Sequence, residues 1–542
     1  MRISREIGAL AALFAGSMAG TAVACSRDGT PGPCHCLGPE AIASFAAPAL
    51  APLSSFSPIS SDVSPRDTFS QTVHVFDIDF STHDADGPIM DAVIHLGDTV
   101  HWVWDSGFHN VESVVGSVEQ FDSGFNFPAF TFDHTFTHTG TTVYYCAVHG
   151  FDNMDGTADG MAGTITVLPA AISSSWSADA SGDWSPGANW SGGAVPNGPD
   201  HSATFGASIT SPRTVTLDSP QSVGSINFSS PIAYTIAGSN ALTIDGVRNQ
   251  GVIAVTAGSH TISAPVVLNE DTTISTATGT GVALTGDLTA TGRTITKDGL
   301  GTAQFEKVVA AALRVNVGSI TIRAKGTANS PAGTSVLQSL SIEAGANLDL
   351  TNNSMVIDYD DPVGSQVTDI RDHLKSGRLS SSSATATTRL GYGDNAILGK
   401  TTFAGQSVDS SSILIKYTYA GDADLDGDAD GVDIGTWATN FTGELGGSGS
   451  QVWTQGDWDY DGDVDGVDAG LWAQAFTGEL GGGGLGDVVV NDPHIAPGAA
   501  AILRGMGITV VPEPVLGCII ALALTSRLSR RRAGGGTAPM KL

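Results

Sequence analysis

The stretch "YYCAVHGFDNMDGTADGMAGTITV", Tyr144 to Val167, brings together one thiol, one imidazole and two thioethers: Cys146, His149, Met154 and Met161. Electron-transfer copper is held by a thiolate, two imidazoles and a weak, long thioether. The thiolate gives the strong bond, imidazole suits both oxidation states, and the soft thioether favours Cu(I) and tunes the potential. Cys146 and His149 are three apart and can reach one ion. A second imidazole must come from elsewhere, and "GDTVHWVWDSGFHNV" offers His101 and His109. His109 follows the strand, in a Gly-Phe-His-Asn-Val loop. His101 lies inside the strand and packs or faces solvent. A packed Cys–His pair without metal, or a zinc ion, would use the same two residues, but the thioether favours copper over a fourth hard ligand. There is no His-x-His pair and no second Cys–His set, which disfavours a larger copper oxidase. His134 and His138, four apart in a strand-like run, read as surface residues.

A resemblance sharpens this. "GDTVHWVW" with His109-Asn110-Val111 resembles the first-ligand region of plastocyanin-like cupredoxins. "FTFDHTFTHTGTTVYYCAVHG", with Phe132, Phe136, Gly140, Tyr144 and Cys146, resembles that family's approach to the cysteine. "GMAGTITV" resembles its last ligand and final strand. The resemblance runs in order through residues 68–168. It implies a Greek-key sandwich, one type 1 copper and electron transfer. Met154 lies five residues after His149, the spacing of compact plastocyanin loops. Met161 lies twelve after it, at the mouth of the final strand. The insert "FDNMDGTAD" is polar and rich in turn formers, so it bulges as a surface loop. Rigid elements place ligands better than loops. The expected copper ligands are therefore His109, Cys146, His149 and Met161, with Met154 the alternative.

A second chemistry sits near the other end. "GDADLDGDADGVDIGTWATNFTGELGG" and "GDWDYDGDVDGVDAGLWAQAFTGELGG" repeat at an offset of 35. Each opens with a twelve-residue loop. Asp422, Asp424, Asp426, Asp428, Asp430 and Asp433 take positions 1, 3, 5, 7, 9 and 12 of the first. Asp457, Asp459, Asp461, Asp463, Asp465 and Asp468 take those of the second. Oxygen ligands at these positions wrap Ca²⁺, and glycine at position 6, here Gly427 and Gly462, permits the sharp turn. A helix bearing Trp437 and Phe441, or Trp472 and Phe476, follows each loop. The pair resembles type I dockerin modules, which implies Ca²⁺ and a cohesin partner. Positions 10 and 11 are Gly431-Val432 and Gly466-Val467 instead of the hydroxyl pair of cellulosomal dockerins. Both a cohesin-like or cell-surface partner and a calcium-locked spacer therefore stand.

The elements that must position these groups read as mostly β and multidomain. Glycine is abundant (68 residues), only 15% of residues are charged, and Thr, Ser, Val, Ala and Gly recur in short alternating runs. Net charge is −31, which argues against nucleic acid or anionic lipid as partner and suits cations. Residues 1–24 read as a signal peptide: Arg2 and Arg5, an apolar run, then Ala22-Val23-Ala24. Cys25 follows where a lipoprotein anchor would attach, but Ala22 stands where a lipobox has Leu. Cys34-His35-Cys36 offers a metal pair, or a disulfide with Cys25; outside the cytoplasm the disulfide is the expectation.

Residues 25–67 form an Ala/Ser/Pro linker, and 171–175 a second, short one. Residues 176–359 open with Trp176, Trp184 and Trp190 and continue as short β segments, a β-solenoid or a β-sandwich. They resemble autotransporter-associated β-strand repeats. An α/β connector with a helix near "VTDIRDHLKSGR" covers 360–420, the dockerin-like small α module 421–478, and a Gly-rich linker 479–510. Residues 511–532 combine Pro512-Glu513-Pro514, an apolar run shorter than a membrane span needs, and Arg527, Arg530, Arg531 and Arg532. They resemble the PEP-CTERM sorting signal, which implies handling at the membrane and a place at the cell envelope, cell surface or extracellular matrix.

Three functions compete. The first is an exported, envelope-anchored type 1 copper protein carrying electrons to an unidentified redox partner, with a calcium module. The second is a structural or adhesive surface protein in which the copper domain is secondary. The third is a polysaccharide-active enzyme, which needs a carboxylate pair. Acids are sparse between Gly206 and Leu350, and the adjacent Glu270 and Asp271 would point to opposite faces of a strand. The expectation is not an enzyme.

Overall fold

The computed structural model describes residues 69–83, 87–247, 250–359, 366–443, 449–478, 488–490 and 495–511. The expected signal peptide, the expected first linker with Cys25, Cys34 and Cys36, and the expected sorting signal beyond residue 511 lie outside the described residues. The described chain is mostly β, in several sheets with no closed barrel.

Residues 69–168 fold as two four-stranded sheets packed face to face. The strands are β1 (Ser70–Phe76), β2 (Asp79–Ser81), β3 (Ala92–His95), β4 (Thr99–Trp104), β5 (Glu112–Ser113), β6 (Thr131–Thr135), β7 (Gly140–Asp152) and β8 (Ala158–Leu168). One sheet runs β2-β1-β4-β6, the other β3-β8-β7-β5. Alternation sets the faces: in β4, Val100, Trp102 and Trp104 are buried while Thr99, His101 and Val103 are half-buried. Trp102 fills the space between the sheets against Phe121, Phe132 and Tyr144. This sandwich has its own hydrophobic core, which includes Cys146 and Met161.

From Ser173 the chain coils through parallel strands in a nine-stranded and a fourteen-stranded sheet, with a short third row. Val215, Ile236, Ile262, Leu284, Phe305 and Ile322 stack one above another in register. Parallel stacking from one turn to the next makes a solenoid, which decides between the two arrangements expected from sequence. Trp176, Trp184 and Trp190 are buried at its start, with the Trp184 and Trp190 rings 4.8 Å apart.

Three expected boundaries differ. The supposed linker 171–175 contains the strand Ser173–Ser175, which pairs with Ser202–Thr204 as the edge of the fourteen-stranded sheet. The supposed connector 360–420 contains the expected helix, Val367–Lys375, but its strands Thr388–Asp394 and Ser412–Tyr419 extend the same sheet in antiparallel sense. The supposed Gly-rich linker 479–510 carries the helix Pro497–Gly505, whose Ala499 and Leu503 are buried. Proline at its first turn suits a helix start.

Candidate functional site

Strands β7 and β8 form an antiparallel hairpin whose register slips. Tyr145 pairs with Ala162, and the next pairing is Gly150 with Gly160. Four residues of β7, Cys146 to His149, therefore stand against Met161 alone. A bulge of this kind re-aims side chains that a regular strand would send to alternate faces. Gly160 makes it feasible: its φ is +80°, and a Cβ there would lie 2.4 Å from the His149 carbonyl oxygen. Beyond the bulge the hairpin continues through Phe151 and Asp152 paired with Asp159 and Ala158. The polar insert is thus an extension of the hairpin.

His109 arrives from the other sheet. The chain leaves β4 at Trp104 and turns at Gly107 (φ +74°). The His109 backbone is then fixed by paired bonds with Asn126, N–H to O 3.1 Å one way and 2.9 Å the other. The Trp104 indole also donates to the His109 carbonyl at 3.1 Å. The His109 ring lies over Gly107, where a Cβ would stand 2.1 Å from its Nε2. Asn110, buried next door, accepts the Ala147 N–H at 2.7 Å and donates to Glu112 at 3.2 Å. It ties the two ligand segments together.

The outcome is a compact donor set. Cys146 Sγ lies 3.6 Å from His109 Nδ1 and 3.7 Å from His149 Nδ1, and the two Nδ1 atoms are 3.1 Å apart. A point equidistant from the three atoms lies about 2.0 Å from each, a metal–imidazole bond length and slightly under a metal–thiolate one. One sulfur and two imidazole nitrogens, with a thioether on the facing strand, suit a soft or borderline ion such as copper. His109, Cys146 and Met161 are buried, whereas His149 is exposed. Burial, followed by the neighbouring His149, holds His109 below the ordinary histidine range. Neutral imidazole is the form that ligates.

The other candidates fall elsewhere. Met154 is 75% exposed at the hairpin tip with φ +61°, in the conformation of a turn residue. His101 bonds Asp133. His134 and His138 both bond the buried Glu119, at 3.3 and 3.0 Å, which also accepts the backbone N–H groups of Thr137 and His138. These two histidines serve a structural knot. Cys146 is the one free cysteine among the described residues.

The acidic loops form a second set of donors. Asp422, Asp424 and Asp433 converge, as do Asp428, Asp430 and Asp433. In the second loop the groups are Asp457, Asp459 and Asp468, and Asp463, Asp465 and Asp468. Asp426 and Asp461 lie outside these groups; they accept the backbone N–H groups of Asp428 and Asp463 and, with Asp424 and Asp459, which accept those of Asp426 and Asp461, hold the loop's turn. Gly427 and Gly462 have φ of +114° and +96°, so position 6 needs glycine. The helices Gly431–Asn440 and Gly466–Ala475 start at Asp430 and Asp465, each closed by a capping box with Asp433 or Asp468. Burial pushes Asp433 and Asp457 up to about 8 and Asp468 to about 7, and neighbouring carboxylates add to it. Asp457 is fully buried, and its Oδ1 has no hydrogen-bond partner. A buried carboxylate oxygen left this way fits an oxygen-ligated divalent cation.

Sequence reasoning gave no role to Asn110, although it directly follows His109 in the quoted motif, nor to Gly107. Only spatial proximity reveals either one.

No family model matches this chain, and no curated protein matches it. Among solved structures it is similar to mutant forms of amicyanin. An oxidised mutant is 22% identical, covers 18% of this chain and 82% of that one, with a TM-score of 0.14. A reduced Cu(I) form at pH 4 is 22% identical over 19% of this chain and 83% of that one, again at a TM-score of 0.14. The likeness touches a small part of the chain, so the case for a metal rests on the donor geometry.

Proposed function

We propose that residues 69–168 hold one type 1 copper ion between His109, Cys146, His149 and Met161, and that the protein carries electrons. The convergence of the Cys146, His109 and His149 donor atoms opposite Met161 carries this reading. When bound, copper supplies one-electron chemistry by alternating between Cu(I) and Cu(II). The chain supplies the rest. Cys146 and His109 are locked by the sandwich core and the Asn110 bridge, so the donors need little rearrangement. Met161 occupies the facing strand and keeps water from that side. His149 reaches solvent and is flanked along β7 by the exposed Val148 and Phe151. Phe108, beside His109, stacks with Phe125 and lies tilted against Phe127, all exposed. Such surfaces suit a brief apolar encounter with a redox partner.

The acidic loops are read as Ca²⁺ sites. Placement at the cell envelope, cell surface or extracellular matrix rests on the sequence signals at the two ends, and the net charge disfavours nucleic acid. Electron delivery to a partner makes the protein a carrier and not an enzyme. The continuous solenoid favours a second reading, a structural or adhesive surface protein in which copper is secondary. The deciding experiment adds Cu(II) to the metal-free chain and records visible absorption and stoichiometry. One equivalent giving an intense blue thiolate band, reversibly bleached by a one-electron reductant, supports the carrier. A colourless protein supports the structural reading.

A further inference from the structure

The strand Thr388–Asp394 ends the fourteen-stranded sheet, and a solenoid's last turn needs a cover. Leu390 to Asp394 are nevertheless all buried. Resting on the calcium reading above, we propose that the acidic module is the solenoid's own C-terminal cap. Ca²⁺ in its loops sets the order of the last two strands, 388–394 and 412–419.

Three observations carry this. First, the last strand has a flat face cut for the module. A Cβ at Gly391 would lie 2.7 Å from Leu425 Cδ2 and 2.9 Å from Trp453 Cε2, and one at Gly393 2.4 Å from Thr454 Cγ2. Leu425 belongs to the first acidic loop, and Trp453 and Thr454 lead into the second.

Second, cationic side chains of the solenoid end donate to carbonyls of the loops. Arg389 reaches Trp458 O at 2.7 Å, Lys375 reaches Asp461 O at 2.9 Å, and Lys416 reaches Leu425 O at 2.9 Å. In return the Tyr460 hydroxyl donates to Leu390 O at 2.8 Å. Trp458 and Tyr460 alternate with the ligand positions Asp457 and Asp459, and Asp461 holds the loop's turn, so the fold of the loop around an ion fixes where all three meet the sheet. Tyr460 has φ +69°, a conformation that the surrounding loop must impose.

Third, Trp453, Trp458, Leu390 and Ile413 share one buried core, whereas the copper sandwich has a separate one. Without a cation, the buried carboxyl groups of Asp433, Asp457 and Asp468 lack the charge that offsets their burial, and the loop opens. The contacts through Leu425, Trp458 and Tyr460 then loosen together. The occupant of this face is the chain itself, not a second protein.

The test uses the full chain. Calcium uptake is measured by titration calorimetry, and hydrogen exchange of 388–394 and 412–419 is compared with and without a chelator. The mid-solenoid strand Thr272–Thr276 is the internal reference. Removing Ca²⁺ is expected to speed exchange in the last two strands by about tenfold or more, leaving 272–276 unchanged. Calcium uptake with no change in exchange there would overturn the cap coupling alone. No calcium uptake would overturn the calcium reading and the coupling with it. By reciprocity, Gly393→Val, which touches no ligand, should weaken Ca²⁺ affinity by about tenfold, and the milder Tyr460→Phe should weaken it severalfold. Unchanged affinity in the folded variants would also overturn the coupling.

Discussion

Cys146 Sγ lies 3.6 Å from His109 Nδ1 although 37 residues separate them. The loop after β4 and the bulge of β7, from different sheets, meet there, and the sandwich core holds both. Cys146→Ser should therefore abolish a blue copper band while leaving the fold intact. Placing a hydroxyl in this buried position costs about 1–3 kcal/mol. Absorption spectra and the near-ultraviolet circular dichroism of the metal-free protein check the two halves separately.

Met161 and Met154 should behave oppositely. Met161→Leu should shift the copper potential, and Met161→Ala should also destabilise the sandwich by about 2–5 kcal/mol, as for other buried large-to-small changes. Met154→Leu should leave the potential in place, and Met154→Ala should alter stability by less than about 0.5 kcal/mol. Voltammetry and denaturant unfolding provide the readouts. A potential that follows Met154 would reverse the ligand assignment.

Asn110→Ala removes the bond to the Ala147 N–H and so frees the Cys146 segment from the His109 segment. The expected loss is about 1–2 kcal/mol in the metal-free protein, with a weaker hold on copper. Competition against a chromogenic chelator measures the second effect. Equal affinity in the variant would show that the two loops are placed without this bridge.

Glu119 should make the sandwich sensitive to acid. Burial pushes its carboxyl up, but bonds from the Thr137 backbone, His138, the Thr137 hydroxyl and His134 outweigh this and hold it at about 2, against 4.5 for a free glutamate. A depressed carboxylate stabilises the fold above its unfolded value and loses that contribution as pH falls through the folded one. The window therefore runs from about pH 4.5 down to about pH 2, and the contribution is on the order of 3 kcal/mol at neutral pH. Glu119→Gln should be less stable than the parent at pH 7, with the gap closing toward pH 2. A gap that stays constant across that range would rule this out.

Much of the site was legible because its chemistry is written in residue types at fixed intervals. Cys146 and His149 share one short segment, and the acidic loops carry both the ligand spacing and the turn glycines Gly427 and Gly462. The order of Met154 and Met161 was less legible, since it depends on the register of β7 against β8, which spacing along one strand does not set. Solenoid and sandwich were indistinguishable because the inward–outward alternation of Val215 or Ile236 is the same in both. The last strand, "TRLGYGD", was hidden for a different reason. It is buried on both faces and carries two glycines, so it lacks alternation altogether. The cap contacts from Arg389, Lys375 and Lys416 come from three separate elements, and no sequence pattern joins them.

X-ray absorption at the copper edge of the loaded full chain tests the central claim most directly, because it reads the ligand atoms themselves. The geometry calls for one short sulfur scatterer and two imidazole nitrogens, with the sulfur lost in Cys146→Ser and one imidazole lost in His109→Ala. A first shell of nitrogen and oxygen alone, unchanged in both variants, would contradict it.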